Sequence, residues 1–598
     1  MVTQVPHEGL TSVEQSLVEH VGRGEWLDLT ADDEVVDEAA MRSWGDDRAI
    51  SATVIRDILR GKLAADRDPH GLRLRGARIT GQLDLENLST EVNLELEDCL
   101  LEEGLVARDA HLAFVRLTGC QLEHPAEPPL NAARLTCSGL GLTKATIIGH
   151  ADLGAVRLPG AHIDGSLECD GATLLNDFGA ALYAEGVQVG QGMFLVGGFT
   201  ATGAGDPGAV NLRGASIGSL ECDEAVLRNE TGAALYADGL QVGQGMSLGG
   251  GFTATGAGAD GAVQLRGSRI GGQLTCDGAV LRNDSGPALH ADALQVGQDM
   301  FLRDGFAATG SGKAGAVRLL GANIGGQVAC IEASLCNNSG PALDAEGLQV
   351  GQDMILRGGF TATGGGAGVA VDLTGTRVGG TLVFAPGRLR HATDPHHKLA
   401  VDGLTYAGVP KSISAGEWLG LLRNGTPGYR AQPYQQLAAG YRALGDERQT
   451  REILIAQRDD QLTRTRPRPR WPERWWGWIT KVTLGYGYKP WRALWFLAGI
   501  VAISCLLAVA LGSHGALAQT ANTAAPGGPC TVVQRVSVGL DLNLPVGTSL
   551  ARADCDLTRD PTSAAATWLI AGGWVLRLLA WAFAALFIAG FTSAVRKT

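Results

Sequence analysis

The sequence predicts a mainly β chain: a parallel β-solenoid with an N-terminal helical cap, a helical linker and a C-terminal hairpin of two transmembrane helices. Three observations carry this reading. One unit recurs four times between about Ala180 and Pro386, glycine supplies 85 of the 598 residues, and two long apolar runs lie near the C-terminal end.

The solenoid follows from the repeat. Phe199, Phe252, Phe306 and Phe360 return at steps of roughly 53 to 54 residues, as do Met193, Met246, Met300 and Met354. Each unit has two halves, because GAVQLRGSRIGGQLTC from Gly261 and PALHADALQVGQDMFL from Pro287 share one pattern of short alternating segments and glycine turns. The structural step is therefore about half the unit. Period-2 runs broken by glycine suit coils that stack in parallel, and a helix here would lose about 1 kcal/mol at each glycine. The Phe, Met and Leu ladders are expected to point inward and to replace a globular core. Degenerate coils such as GLRLRGARITGQLDL and GAVRLPGAHIDGSLEC extend the solenoid over residues 71–388. Residues 1–70, which include RAISATVIRDILRG, form the helical cap that an open coil end requires.

Beyond the solenoid, residues 389–463 read as a linker with a helical pair near Pro433 to Leu462, and 464–492 as a basic, Trp-rich juxtamembrane segment. Residues 493–511 and 574–595 are apolar runs long enough to cross about 30 Å of hydrocarbon, with an external loop at 512–573. Arg464, Arg466, Arg468, Arg470 and Arg474 precede the first run, and Arg596 and Lys597 follow the second. Positive flanks stay in the cytoplasm, so the expectation is a multi-pass inner-membrane protein with the solenoid and both termini cytoplasmic. The opening MVTQVPHEGLTSVEQ lacks the basic-then-apolar plan of a signal peptide.

Trp475, Trp476 and Trp478 interleave with those arginines, the mixture of ring and cation that settles among anionic lipid headgroups. A nucleic-acid patch is the rival; the net charge of -13 and the prolines at 467, 469 and 472 speak against it. Arg577, inside or near the second run, is either a functional intramembrane charge or a side chain that snorkels to the interface beside Trp568 and Trp574. Cys530 and Cys555 are the two cysteines of the external loop, where a disulfide is permitted; two unpaired thiols are the alternative. Between them, VSVGLDLNLPV alternates as a strand or an interfacial segment would.

Other motifs read as structure. GAGDPG, GAGADG and GSGKAG match the phosphate-cradling G-x-G-x-x-G, but each recurs with the repeat and precedes strand-like sequence rather than a helix, so each is a solenoid turn and no cofactor is expected. Cys169, Cys222, Cys276 and Cys330 have coil spacing, which suits buried thiols better than zinc. Asn176, Asn229, Asn283 and Asn337 suit left-handed turns with amides stacked along the coil axis. The loop with His391, Asp394, His396 and His397 reads as solvated rather than metal-binding. GYG at Gly485 lies before the first span, whereas a potassium filter lies between two helices.

With GAxIGGQL, LQVGQDMFL, PYQQLAAGYRALGDERQTREILIAQ and AALFIAGFTSAVRK in view, the chain resembles a family of actinobacterial membrane-associated proteins often labelled oxidoreductases. The resemblance covers essentially the whole chain and implies a cytoplasmic repeat domain with a two-span tail. No set of residues in the sequence is recognisable as holding NAD, flavin or haem, and no catalytic or metal site is expected. The favoured expectation is a scaffold that binds a protein partner or its own copies at the bilayer. The rivals are a membrane-associated oxidoreductase, a carbohydrate-acting β-helix enzyme, and a two-span channel or sensor regulated by the solenoid.

Overall fold

The computed structural model describes residues 9–31, 36–64, 66–206, 208–465, 471–486, 488–489, 491–520, 527–543, 554–557 and 564–597. The chain divides into two compact units, Met1–Gly445 and Asp446–Thr598.

The first unit is a parallel β-solenoid. Its strands form three long sheets of 21, 14 and 13 strands among the described residues, and every neighbouring pair in them is parallel. One column of the third sheet shows why the repeat has this length. Leu182, Val210, Leu235, Val263, Leu289, Val317, Leu343, Val371 and Leu399 stand in register on successive coils. Leucine alternates with valine there, so two coils make one sequence repeat. In the first sheet Met193, Leu220, Met246, Leu274, Met300, Val328, Met354 and Leu382 stack likewise. These side chains are buried, as are Phe199, Phe252, Phe306 and Phe360, and together they form the apolar interior.

Helices and partial coils close the two ends. At the front, α1 (Ser12–Arg23) starts with a reciprocal capping box between Thr11 and Glu14. It is followed by α2 (Glu38–Ser43) and α3 (Ala52–Leu59), whose Val54, Ile55, Ile58 and Leu59 are buried. The cap is not purely helical: Leu27–Asp28 and Ala49–Ser51 add strands to the first and second sheets. At the back, the structure carries the coils past the expected end at 388. Arg388–His391 continues the second sheet, Leu399–Ala400 the third, and Lys411 bridges to Val383. This last coil lacks the glycine-rich repeat wording, which conceals it in the sequence. Then α4 (Ala415–Asn424), absent from the sequence reading, lays Trp418 over the final coil, and α5 (Gln432–Ala443) follows.

The second unit is helical. It contains α6 (Glu447–Arg464), α7 (Trp471–Leu484), α8 (Trp491–Ser513), α9 (Val532–Asp541) and α10 (Ala564–Lys597). Trp491–Ser513 and Ala564–Ala589 are long and apolar enough to cross a membrane, and little of the apolar stretch of either is buried. Phe496 of α8 stacks on Phe583 of α10 with centroids 5.3 Å apart.

Two differences from the sequence reading stand out here. The second apolar helix begins at Ala564, ten residues before the expected Trp574, so the expected loop 512–573 ends in helix. The alternating VSVGLDLNLPV is not a strand over its described part: Thr531 and Gln534 form a capping box, and Val532–Asp541 is the helix α9. Packing of Val538 and Gly539 against α8 overrides the period-2 pattern.

Candidate functional site: a polar column and a tryptophan helix

The outer position of the third sheet carries one polar column along the solenoid. Arg157, Tyr183, Asn211, Tyr236, Gln264, His290, Arg318, Asp344 and Asp372 occupy it coil after coil. The strand register brings together Tyr183, Tyr236, His290 and Asp344, four equivalent points at which the sequence repeats differ. Neighbours in the column serve one another. Arg157 lies over the Tyr183 ring, 5.6 Å from its centroid. His290 is buried, with Nδ1 2.6 Å from the Asp260 carbonyl and Nε2 3.1 Å from Asp292. Arg318 reaches the same Asp292 at 2.9 Å.

Asp344 and Asp372 are register partners on adjacent coils. Burial raises the Asp344 carboxyl above the usual aspartate range; the Glu346 amide opposes this, and the Asp372 charge adds to it. The other two sheets present plainer faces. Gln241, Arg269, Gln295, Asn323, Gln349 and Arg377 form one exposed column of the first sheet.

The glycine motifs sit where the sequence placed them, in turns. Thr253–Gly256 ends a strand of the second sheet, and Val263–Gln264 resumes in the third. A Cβ on Gly256 would stand 2.9 Å from Ala262 Cα and from the Gly232 carbonyl, so coil stacking requires glycine there.

The ladder cysteines are buried, and burial pushes Cys330 up to about 12 and the thiols of Cys169, Cys222 and Cys276 further still.

The asparagines correct the sequence reading. They are not left-handed, and their amides do not stack on one another. Asn229, Asn283 and Asn337 pair in register with Gly203, Gly256 and Gly310. Each amide instead ties the backbone of its corner. Asn229 Nδ2 donates to the Gly205 carbonyl at 3.0 Å, and its Oδ1 accepts from the amides of Thr231 at 3.0 Å and Gly232 at 2.8 Å.

The histidine loop is a turn of the last coil. His391 Nδ1 accepts from the Asp394 amide at 3.1 Å, and His397 Nδ1 lies 2.8 Å from the Asp394 carboxylate. Among the described residues no group of three or more His, Cys, Asp or Glu is arranged to hold a metal ion.

In the second unit, α7 displays Trp471, Trp475, Trp476 and Trp478, each more than half exposed. Trp475 lies 6.4 Å from both Trp471 and Trp478, so these three rings share one face. The far face packs on α6, where Gly477 meets Leu462, and Asp459 of α6 receives Lys481 Nζ at 2.7 Å and, just beyond α7, the Tyr486 hydroxyl at 2.7 Å. Arg464 ends α6 and Arg474 lies in the first turn of α7; Arg466, Arg468 and Arg470 lie outside the described residues. Cys530 and Cys555 form a disulfide with Cα atoms 6.2 Å apart. Arg577 is half-buried and falls midway along Ala564–Ala589.

No family model, curated protein or solved structure matches the chain.

The features that sequence reasoning missed are the Asp344–Asp372 pairing and α4. The first depends on coil register and has no local signature, whereas Ser414 and Glu417 form a capping box whose S-x-x-E spacing could have announced α4.

Proposed function

We propose that the chain is a scaffold, tethered to the bacterial inner membrane by α8 and α10, whose cytoplasmic solenoid presents its exposed faces, such as the column from Gln241 to Arg377, to a protein partner or to further copies of itself. The observation that carries this reading is the exposure of the two apolar helices. Leu494, Trp495, Ile503 and Leu506 of α8 and Leu578, Leu579 and Ile588 of α10 are all exposed. Burying such surface stabilises by about 25 cal/mol per Å², and hydrocarbon supplies that cover. The Trp face of α7 and the neighbouring arginines fit a headgroup layer with anionic lipid. Positive flanks at both ends support cytoplasmic termini.

The test combines topology and contact in whole cells. Reporter fusions active only outside the membrane stay silent at both termini. A photo-crosslinking residue at Gln295 or Arg282, on two different faces, yields a discrete adduct with one partner or a second copy. Silence at both crosslinking positions, or external reporter activity, overturns the reading.

A carbohydrate-acting enzyme is the second reading, favoured by one observation. Asp344 and Asp372 are register partners on adjacent strands, a spacing of about 4.8 Å, and the Asp372 charge adds to the burial that keeps the Asp344 carboxyl protonated more readily than usual, a pairing of the kind that glycoside hydrolysis uses. Loss of a hydrolytic activity in both Asp344→Asn and Asp372→Asn would favour it. The family resemblance brings an oxidoreductase label as well; cofactor that co-purifies with the full-length chain in stoichiometric amount would support that.

A further inference from the structure

The helix α9 enters the hairpin rather than lying over it. Gly539 packs on the backbone of α8, where an added Cβ would stand 2.6 Å from Cys505 Cα. Earlier in α9, the Arg535 side chain lies beside Gly512 at the end of α8. The helix therefore runs antiparallel to α8, from the disulfide-bonded end back toward its middle. At its far end Leu542 reaches Gly573 of α10, 3.1 Å from where a Cβ would sit. With a rise of about 1.5 Å per residue, Cys505 lies about 9 Å inside Leu511. The helix α8 spans 23 residues, about 34 Å, only slightly more than about 30 Å of hydrocarbon, so Cys505, eight residues from its end, lies within that depth.

The inner end of α9 is polar. Asp541 closes the helix, and Asn543 behind it is buried with its Oδ1 unpartnered. On α8, the Ser504 hydroxyl is fully buried and also unpartnered. Arg577 follows Gly573 by one helical turn on the same face of α10, the face that meets Leu542. In lipid each unpaired polar group costs several kcal/mol, and re-entrant elements persist where they line water or protein.

We infer that α9 is a re-entrant helix whose inner end borders, with Ser504 and Arg577, a hydrated cleft for water and small inorganic ions within the depth of the membrane. This rests on the reading of α8 and α10 as spans and adds to the tether a polar, water-accessible interior.

The experiment uses full-length protein carrying Cys505→Ser, reconstituted in phosphatidylcholine–phosphatidylglycerol vesicles, with single cysteines at three places. Asn543→Cys and Arg577→Cys sit in the proposed cleft, and Ile503→Cys sits on the exposed face of α8. Modification by a charged methanethiosulfonate is timed against the parent. The cleft positions react about tenfold or more faster than position 503. Rates at 543 and 577 as slow as at 503 overturn the cleft and leave the spans intact. A fast rate at 503 shows that α8 is not in lipid and overturns both. Arg577→Cys, at a half-buried position, keeps the test valid where Asn543→Cys disturbs the fold.

Discussion

The indole of Trp418 meets the phenyl ring of Phe384 edge-on, with centroids 5.2 Å apart, and so closes the back of the solenoid. Both rings are almost wholly buried. Trp418→Ala is expected to cost about 3–5 kcal/mol, since it opens a cavity over the last coil. The loss should be local first: in hydrogen exchange, Leu382–Phe384 and Leu399–Ala400 lose protection before the central coils. Trp418→Phe should be milder, because the indole Nε1 is buried without a partner. Unchanged exchange at those strands in Trp418→Ala would show that α4 is not a cap.

Asn229 is a corner brace, and its two substitutions separate shape from charge. Asn229→Ala leaves the Gly205 carbonyl and the Thr231 and Gly232 amides without their partner. The cost is about 1–3 kcal/mol for each group left buried and unpaired. Asn229→Asp retains the acceptors but sets a carboxylate against a carbonyl, so it should melt lower than Ala at pH 7 and recover part of the difference below about pH 4. A pH-independent gap between the two variants would contradict this account.

Asp344 supplies a prediction with the opposite charge logic. Its carboxyl is held above the ordinary 3.8, chiefly by burial. The folded chain therefore keeps a proton that the unfolded chain releases. That contribution to stability is fully present below 3.8 and is lost as pH rises through the raised value. Asp344→Asn should raise the Tm at pH 7 and give no gain near pH 3. Thermal melts at both values decide it; an equal gain at each would place the effect elsewhere.

Thiol chemistry should sort the cysteines into two sets. Burial pushes Cys137 up to about 12 and raises Cys169, Cys222 and Cys276 further, so alkylation of the native protein at pH 8 leaves them unmodified until the chain unfolds. Cys530 and Cys555 should react only after a reductant. Closing a loop of 25 residues stabilises by about 3 kcal/mol. Peptide mass mapping before and after reduction reads both sets at once; free Cys530 in the unreduced protein would remove the bond.

The solenoid was legible because each coil sits on a near-copy of itself, so the Phe and Met ladders, the glycine turns and the buried cysteines all recur in phase. Where phase is lost, legibility goes with it. The coil through Leu399 lacks the glycine wording, and the cap strands at Leu27–Asp28 and Ala49–Ser51 are too short to announce themselves. The asparagine role was misread because side-chain direction at a corner depends on the neighbouring coil, where a glycine yields the room. In α9 the alternation of valine and leucine is real, but contact with Cys505 and Ser504 decides its conformation. The pairing of Asp344 with Asp372 crosses 28 residues of chain, and only register reveals it.

The exposed column of the first sheet, where Gln241, Gln295 and Gln349 alternate with Arg269, Asn323 and Arg377, makes the solenoid a ruler graduated in double steps. Adjacent coils are about 4.8 Å apart, yet chemically equivalent positions return only about every 9.6 Å. A ligand with its own translational order would lock at even offsets and be frustrated at odd ones, as two combs of unequal teeth are. Sliding along such a surface proceeds by two-coil jumps. The column of the third sheet opens on Arg157 and Tyr183 and closes on Asp344 and Asp372, so each end of the scale is told from the other.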